Sequence, residues 1–434
     1  MAAAILITTG IYFWQGNSGG KLIKGGKLKQ PNVIIILIDS LRSDHLSMNG
    51  YGRQTSPNLA ALAEDSVVFP HVTMNGSWTL PNVTTMFTGL HPAEHDVQFP
   101  DQKQDLTHLE TLPEILKANG YQTSLISSND WIAKQNSFDQ GIDYYYGQSP
   151  GKDLDYEYAG PLLNRSLSWL LQQTRIHPLF TYVHIMNVHG PYRVPEFSRA
   201  YVDEMNGTFE YYGQIMDDIM RRHKTEARAQ VTDQYLNDLT NQYDSAIYYT
   251  DAEIGRYLNA LREEDIYDDS IVIIAVDHGE ELYDHEGFAH AYSLYEEISN
   301  TMLMIKPHAG APEEVADLVG QRFEYAGEQI DFLPTLLSLL DIEVPEDAVG
   351  QNLLNPAEHE RRPVLMRAQW GGRLTGAAIL DWPWKLIYTE SNYEGLRNDW
   401  KLFNLVEDPD EQDDLSLVYP DRLESMKQTM DELQ

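Results

Sequence analysis

Three short stretches carry side chains whose types and spacing could do chemistry. Asp39 closes the β-branched run Val33-Ile34-Ile35-Ile36-Leu37-Ile38 and opens the polar stretch Ser40-Leu41-Arg42-Ser43-Asp44-His45. A second apolar run, 271–276, ends as abruptly in Asp277-His278-Gly279. A carboxylate after a strand can simply cap the next helix. Two strand ends that together deliver two carboxylates and an imidazole also make a donor set for a divalent metal. Mixed oxygen and nitrogen donors favour manganese or zinc, with calcium as the alternative. The third stretch is 77–89, in which Thr79 stands two residues before Pro81 at the head of a Thr-rich amphipathic segment. That pattern places Thr79 at a helix N-terminus, where its hydroxyl either caps the helix or serves as a nucleophile. The second role needs help, because a hydroxyl attacks poorly until a metal or base lowers its pKa. A helix N-terminus also favours a nearby anionic group.

The elements that must position these residues can be read from periodicity. The two apolar runs read as strands buried on both faces, hence central strands of a parallel sheet. Segments 123–127 and 180–186 are shorter strand candidates, and helical patterns occupy 58–63, 109–118, 162–172 and 235–262. Strands alternating with helices predict an α/β doubly wound sheet, whose ligand crevice lies beyond the carboxyl ends of the strands. Asp39, Asp277 and His278 are delivered to that edge. Beyond Pro345 the alternation gives way to short strand-like pieces (364–367, 377–380, 385–388, 401–404), which predict a small antiparallel sheet with a C-terminal helix. The expected organisation is an apolar N-terminal segment and flexible tether over 1–30, a catalytic α/β domain over 31–350 and a C-terminal subdomain over 351–434. Within the second, 196–228 reads as a polar helical insertion.

Composition narrows the function. The 434 residues hold 31 Lys plus Arg against 66 Asp plus Glu, a formal charge of −35. Nucleic acid is excluded as a partner, because affinity for its backbone rests on basic side chains. A small anionic substrate remains compatible where a metal or local histidines and arginines reverse the sign inside a cleft. There is no cysteine, which removes disulfides, thiolate metal sites, thiol nucleophiles and any cofactor made from cysteine. The apolar run 2–14 falls short of the ~20 residues of a spanning helix. Lys21, Lys24, Lys27 and Lys29 come after it rather than before it, opposite to a secretory signal. The expectation is an extracytoplasmic protein (periplasmic, secreted or membrane-anchored) with an atypical N-terminal anchor.

Taken in order from about 31 to 415, the motifs resemble the sulfatase family of the alkaline phosphatase superfamily. Asn32 to Asp39 with Asp44-His45-Leu46 is similar to the family's first metal strand and loop, and Thr55-Ser56-Pro57-Asn58-Leu59 with Phe69 is similar to the family's next helix and turn. Counting back from Thr88-Gly89, Thr79 falls on the nucleophile position of the Cys/Ser-x-Pro-x-Arg signature. The runs Leu112-Pro113-Glu114-Ile115, Gly120-Tyr121-Gln122-Thr123 and His189-Gly190-Pro191-Tyr192 resemble further landmarks. So do Asp277 to Leu282 with His285 and His290, Ile330-Asp331-Phe332-Leu333-Pro334-Thr335, and Leu402-Phe403-Asn404-Leu405. The resemblance implies an alkaline-phosphatase-like mixed sheet flanked by helices, and a metal held by Asp39, Thr79, Asp277 and His278. It also implies that Thr79 acts as nucleophile with His189 or His290 assisting, and that Asn129, Arg42, His184 and His285 bind substrate.

The departures from the pattern redirect the chemistry. Thr79 cannot become formylglycine, the oxidised Cys or Ser of sulfatases. Val83 stands at the signature arginine, Ser40 at the second aspartate, Ser128 and Asp130 at a lysine and a histidine, and His290 at the sulfate-gripping lysine. A formylglycine hydrate expels sulfate by collapsing to the aldehyde; a threonine sulfate ester has no such exit. A phospho-threonine beside a metal can be attacked at phosphorus by water or by an alcohol. The set that survives resembles relatives that cleave phosphodiesters or phosphonate monoesters, or that transfer phospho-groups from a threonine. The expected function is therefore a metal-dependent hydrolase of a small anionic ester, or of a glycan or lipid headgroup, with phosphoester favoured over sulfate. A phosphotransferase acting on an envelope glycan or polymer and a catalytically silent binding protein of the same fold are the alternatives.

Overall fold

In the computed structural model the described residues are 30–97, 106–147, 157–174, 176–195, 200–201, 231–324, 327–370, 373–389 and 399–433. The apolar segment before residue 30 and nearly all of the insertion expected at 196–228 lie outside them. Among the described residues no helix is long and apolar enough to cross a membrane.

The first apolar run forms β1 (Asn32–Ile38), buried along its whole length. Because side chains alternate across a strand, Ile34, Ile36 and Ile38 enter one core layer and Val33, Ile35 and Leu37 the other. Helices α1 (Pro57–Ala63), α5 (Ala159–Gln172) and the long α6 (Asp233–Glu263) cover the first layer. Helices α2 (Thr79–Thr88) and α4 (Leu112–Ala118) cover the second with the helix Phe332–Leu339, while the short α3 (Pro92–His95) packs on α2.

Seven further strands join β1 in one sheet: β2 (Val67–Thr73), β3 (Gln122–Ser127), β4 (Tyr144–Gly147), β5 (Leu179–Ile185), β6 (Ser270–Ala275), β9 (Asn300–Lys306) and β10 (Gly327–Glu328). Their order is β10-β2-β9-β6-β1-β5-β3-β4. Among these strands only β9 runs antiparallel to its neighbours, β2 and β6, so the doubly wound sheet is mixed, as expected. Leu37 pairs with His184 and with Ala275 in register, and Ser127 pairs with His184. The carboxyl ends of β6, β1, β5 and β3 are thus level, and the residues just past them share one crevice.

A two-stranded ribbon, β7 (Glu281–Leu282) with β8 (Phe288–Ala289), folds back just beyond β6. The C-terminal strands β11 (Val364–Trp370), β12 (Arg373–Asp381), β13 (Trp384–Thr389) and β14 (Asp399–Asn404) form an antiparallel meander. The helix Pro420–Leu433 seals one face through Met426 and Met430, and Met74, Leu294 and Ile298 pack on the other.

One expectation moves at its edge. The helix expected from 109 begins at Leu112, because Thr111 and Glu114 form a reciprocal capping box that fixes the first turn there. Tyr144 to Tyr146 lie on the edge strand β4, with Tyr144 stacked on Trp169.

Candidate active site

Asp39 is the first residue past β1, fully buried, and Asp277 and His278 lie just past β6, equally buried. Thr79 is the first residue of α2, whose ten residues are all buried. The helix is preceded by Trp78 in extended conformation, and no side chain caps it. The Thr79 hydroxyl is turned to the crevice: Oγ1 donates to Asp39 Oδ2 at 3.3 Å and lies 3.3 Å from His278 Nε2. Gly279 is demanded by packing, since a β-carbon there would collide with the Glu297 carbonyl.

Hydrogen-bond directions define what the centre can hold. Asp39 Oδ2 also accepts from Asn129 Nδ2 at 2.9 Å and contacts His184 Nε2 at 2.9 Å. Burial keeps the Tyr182 phenol protonated, well above its usual range. Tyr182 OH lies 2.9 Å from His184 Nδ1, so it donates there and leaves His184 Nε2 as the proton-bearing nitrogen that faces Asp39. His184 therefore supports the carboxylate. His278 is the opposite case. Its Nδ1 lies 2.8 Å from the Gly279 carbonyl and must carry the proton. Nε2 then presents a lone pair to Asp39 Oδ1 at 3.6 Å and Asp277 Oδ2 at 3.5 Å. Asp277 Oδ1 accepts from the backbone N–H of His278 at 2.9 Å and of Ser40 at 3.3 Å, whereas buried Oδ2 has no hydrogen-bond partner among the described residues.

A lone pair facing two carboxylate oxygens, one of them orphaned, is repulsive unless a cation sits among them. Donors bound to one ion at about 2.0–2.4 Å stand roughly 3.3–3.6 Å apart, matching the separations found. Asp39, Asp277, His278 and the Thr79 hydroxyl therefore fit a divalent metal, and the spacing suits zinc, manganese or calcium alike. Titration agrees. Burial would raise the Asp39 carboxyl, but His189, His184 and His278 outweigh it and hold Asp39 well below the usual carboxylate range. At Asp277 burial and the charge of Asp39 push the other way. Burial, and then His290, depress His278.

His290 and His189 form the more open wall. The His290 ring lies 4.2 Å from that of His278 and 4.9 Å from that of His189, centroid to centroid. Burial lowers the His290 pKa, but Glu280, 3.1 Å from its Nδ1, more than offsets this and raises it. Glu280 Oε2 also accepts from the Gly190 N–H at 3.4 Å.

Six of the expected residues thus converge with Thr79 and Asp39, namely Asp277, His278, Asn129, His184, His189 and His290. Arg42 and His285 are placed elsewhere. All the guanidinium donors of Arg42 are committed, to Asp44, to Asp284 and to the Glu280 carbonyl. His285 lies between Glu297 and the Glu411 carbonyl, against the C-terminal subdomain. Sequence reasoning missed Glu280, although it sits in the Asp277–Leu282 motif. It also missed Asn82 and Gln329, whose amides donate to the Asp277 carbonyl at 2.9 and 2.6 Å. No local pattern marks Gln329, since it meets Asp277 only through the tertiary fold.

The family model described as Sulfatase matches residues 31–342. Over 275 residues the chain is 27% identical to the uncharacterized sulfatase YidJ of Escherichia coli K12, covering 59% of this chain and 52% of that relative. The chain thus spans about half the length of that protein. A solved protein in complex with its substrate D-glucosamine-2-N,6-O-disulfate superposes with a TM-score of 0.72 at 19% identity, over 94% of this chain and 98% of the other. The phosphonate monoester hydrolase of Agrobacterium radiobacter superposes with a TM-score of 0.68 at 20% identity, over 92% and 96%. At these identities the likeness to the solved proteins concerns the fold.

Proposed function

This chain belongs to the sulfatase family, and from that premise we propose a metal-dependent ester hydrolase that uses Thr79 as covalent nucleophile and prefers phosphoesters to sulfate esters. The fold accommodates both chemistries, since one solved relative has a disulfated glucosamine as substrate and another is a phosphonate monoester hydrolase.

Thr79, which cannot form the formylglycine hydrate that expels sulfate, carries the preference over sulfate esters; among phosphoesters the charge inventory chooses. The ionisable groups acting on Asp39, Asp277 and His278 are histidines and carboxylates. Arg42, the arginine on these loops, is neutralised by Asp44 and Asp284. Two positive charges of an ion set against Asp39 and Asp277 leave only His290 and His189 to offset a dianion. A singly charged group, such as a phosphodiester or a phosphonate monoester, suits that balance better than a doubly charged phosphate monoester.

A divalent ion bound there supplies Lewis acidity, easing loss of the threonine proton and countering charge on the transferred group. The residues do the rest. Thr79 Oγ1, aimed by its hydrogen bond to Asp39 Oδ2, loses its proton to solvent as the Oγ1–P bond forms. The P–O bond to the leaving alcohol breaks, and His290 or His189 gives that oxygen its proton. Asn129 and His184 keep Asp39 aimed throughout. Water then attacks phosphorus as the same histidine takes its proton, and the Oγ1–P bond breaks with Thr79 regaining a proton from solvent. With no formylglycine, this second attack is the exit a sulfate adduct lacks.

The test compares the protein with Thr79→Ala on a chromogenic sulfate, a phosphate monoester and a phosphodiester, each without metal and with manganese, zinc or calcium. Metal-dependent diester turnover that disappears in the variant is expected. Thr79-dependent sulfate turnover would overturn the phosphoester preference. Turnover that requires an added alcohol or glycan would identify a transferase.

A further inference from the structure

We propose that Tyr243, on a helix that supplies no candidate ligand, is a positioning residue that holds the Asp39 loop in the shape a divalent ion requires. The inference deepens the metal-assisted reading above and rests on it.

Tyr243 lies in the N-terminal half of α6 and is fully buried. Its hydroxyl donates to the Ser40 carbonyl at 2.6 Å and accepts from the Arg42 N–H at 2.8 Å. A phenol has one proton to give, so it fastens the backbone on both sides of Leu41 in one fixed sense. Burial keeps that proton in place, pushing the phenol well above its usual range against the opposing effect of Arg42. The ring is held edge-on by His45 and Tyr192, each with its centroid 5.2 Å away.

What the staple secures is an unusual residue. Ser40 has φ 60°, the left-handed region that a residue with a β-carbon leaves unless it is held. In that conformation its N–H reaches Asp277 Oδ1 at 3.3 Å and its hydroxyl reaches Asp39 Oδ1 at 3.1 Å. The first bond joins the two candidate metal loops. It adds a second donor to Asp277 Oδ1 and so turns the orphaned Oδ2 toward Asp39 and His278. The chain of cause runs from the phenol to the Ser40 backbone, from there to the Asp277 carboxylate, and so to the ion.

Tyr243→Phe in the full chain keeps the ring and removes the staple. Titrating manganese or zinc calorimetrically into protein stripped with chelator, we expect affinity to fall about 10–100-fold, as when other groups that orient metal ligands are removed. Glycine adopts the left-handed conformation without help. In the Ser40→Gly background the same Tyr243→Phe change should therefore cost less than about threefold, a coupling that simple loss of packing would not produce. Undiminished affinity in Tyr243→Phe overturns the proposal alone. So does an equal loss in both backgrounds, which would assign Tyr243 to packing. A wild-type protein that binds neither ion overturns the proposal together with the metal reading beneath it.

Discussion

One stretch of chain, 277–297, feeds two histidine–carboxylate clusters built from the same residue types. Asp39, His184 and Asp277 form one, and Glu281, His285 and Glu297 the other, each with ligand-type atoms within 4.8 Å of one another. They differ in what closes them. In the second, Glu281 accepts from the Gly287 N–H at 2.8 Å and the Ser293 hydroxyl at 2.9 Å. His285 places Nδ1 2.8 Å from Glu297 and Nε2 3.1 Å from the Glu411 carbonyl. Nε2 also meets the Gln412 side-chain amide at 3.2 Å, so protein groups occupy both ring nitrogens, and the ring lies flat on Tyr295 at 3.6 Å. Lys385 adds a cation to Glu296 and Glu411. Protons and a lysine close this cluster. In the first, the His278 lone pair and Asp277 Oδ2 wait on a metal. Composition and proximity do not separate a structural cluster from a functional one; the direction of each proton does.

That contrast can be broken most sharply at the nucleophile. Thr79→Ala should lose on the order of 10³-fold or more in kcat, while His285→Asn keeps metal stoichiometry in elemental analysis. Retained turnover in Thr79→Ala would remove the covalent step.

Asp277→Asn should then separate function from stability. The variant is expected to bind metal at least about 100-fold more weakly. Stripped of metal, it should melt higher than the stripped wild type, because a buried charge facing Asp39 is gone. A lower melting temperature for the stripped variant would contradict the repulsion inferred at this centre.

The second cluster predicts a pH effect. Burial pushes Glu281 up to about 7 and Glu411 up to about 8. His285, which burial alone would lower, is raised by Glu297. The folded chain holds protons that the unfolded chain releases at lower pH, so this stabilisation is present in acid and lost as pH rises through the folded values. For Glu281, moving from 4.5 to about 7, the loss is roughly 3 kcal/mol. Melting of the metal-saturated protein should fall between about pH 4.5 and 8, from the unfolded carboxyl value up through the folded ones. A flat profile would mean that protons do not close the cluster.

The smallest effect is expected at Arg42. Because its donors are all taken, Arg42→Lys should destabilise the fold by about 1–3 kcal/mol yet leave KM for a small ester within about twofold. A large rise in KM would return Arg42 to the substrate.

What the sequence disclosed obeys the same divide. Asp39, Asp277 and His278 were legible because long apolar runs end in them without transition, and Thr79 because Pro81 marks a helix start. The antiparallel direction of β9 was not, since an apolar strand reads alike from either end. Ser40 carries no local sign of a left-handed backbone, and Tyr243 meets it across 203 positions. Of the partners that occupy Arg42 and His285, Asp284 and Glu411 lie 242 and 126 positions away. Motifs named the residues, and only the fold could say which way their protons point.

The burial of α2 has a consequence in time. With every residue of that helix enclosed, its amides should be among the last in the molecule to exchange with deuterium. The Thr79 hydroxyl, the proposed nucleophile, then sits on a part of the protein that opens only when the core does. Any motion that admits an ester and releases an alcohol belongs to the opposite wall, where His189 and His290 ride on loops and are only partly covered.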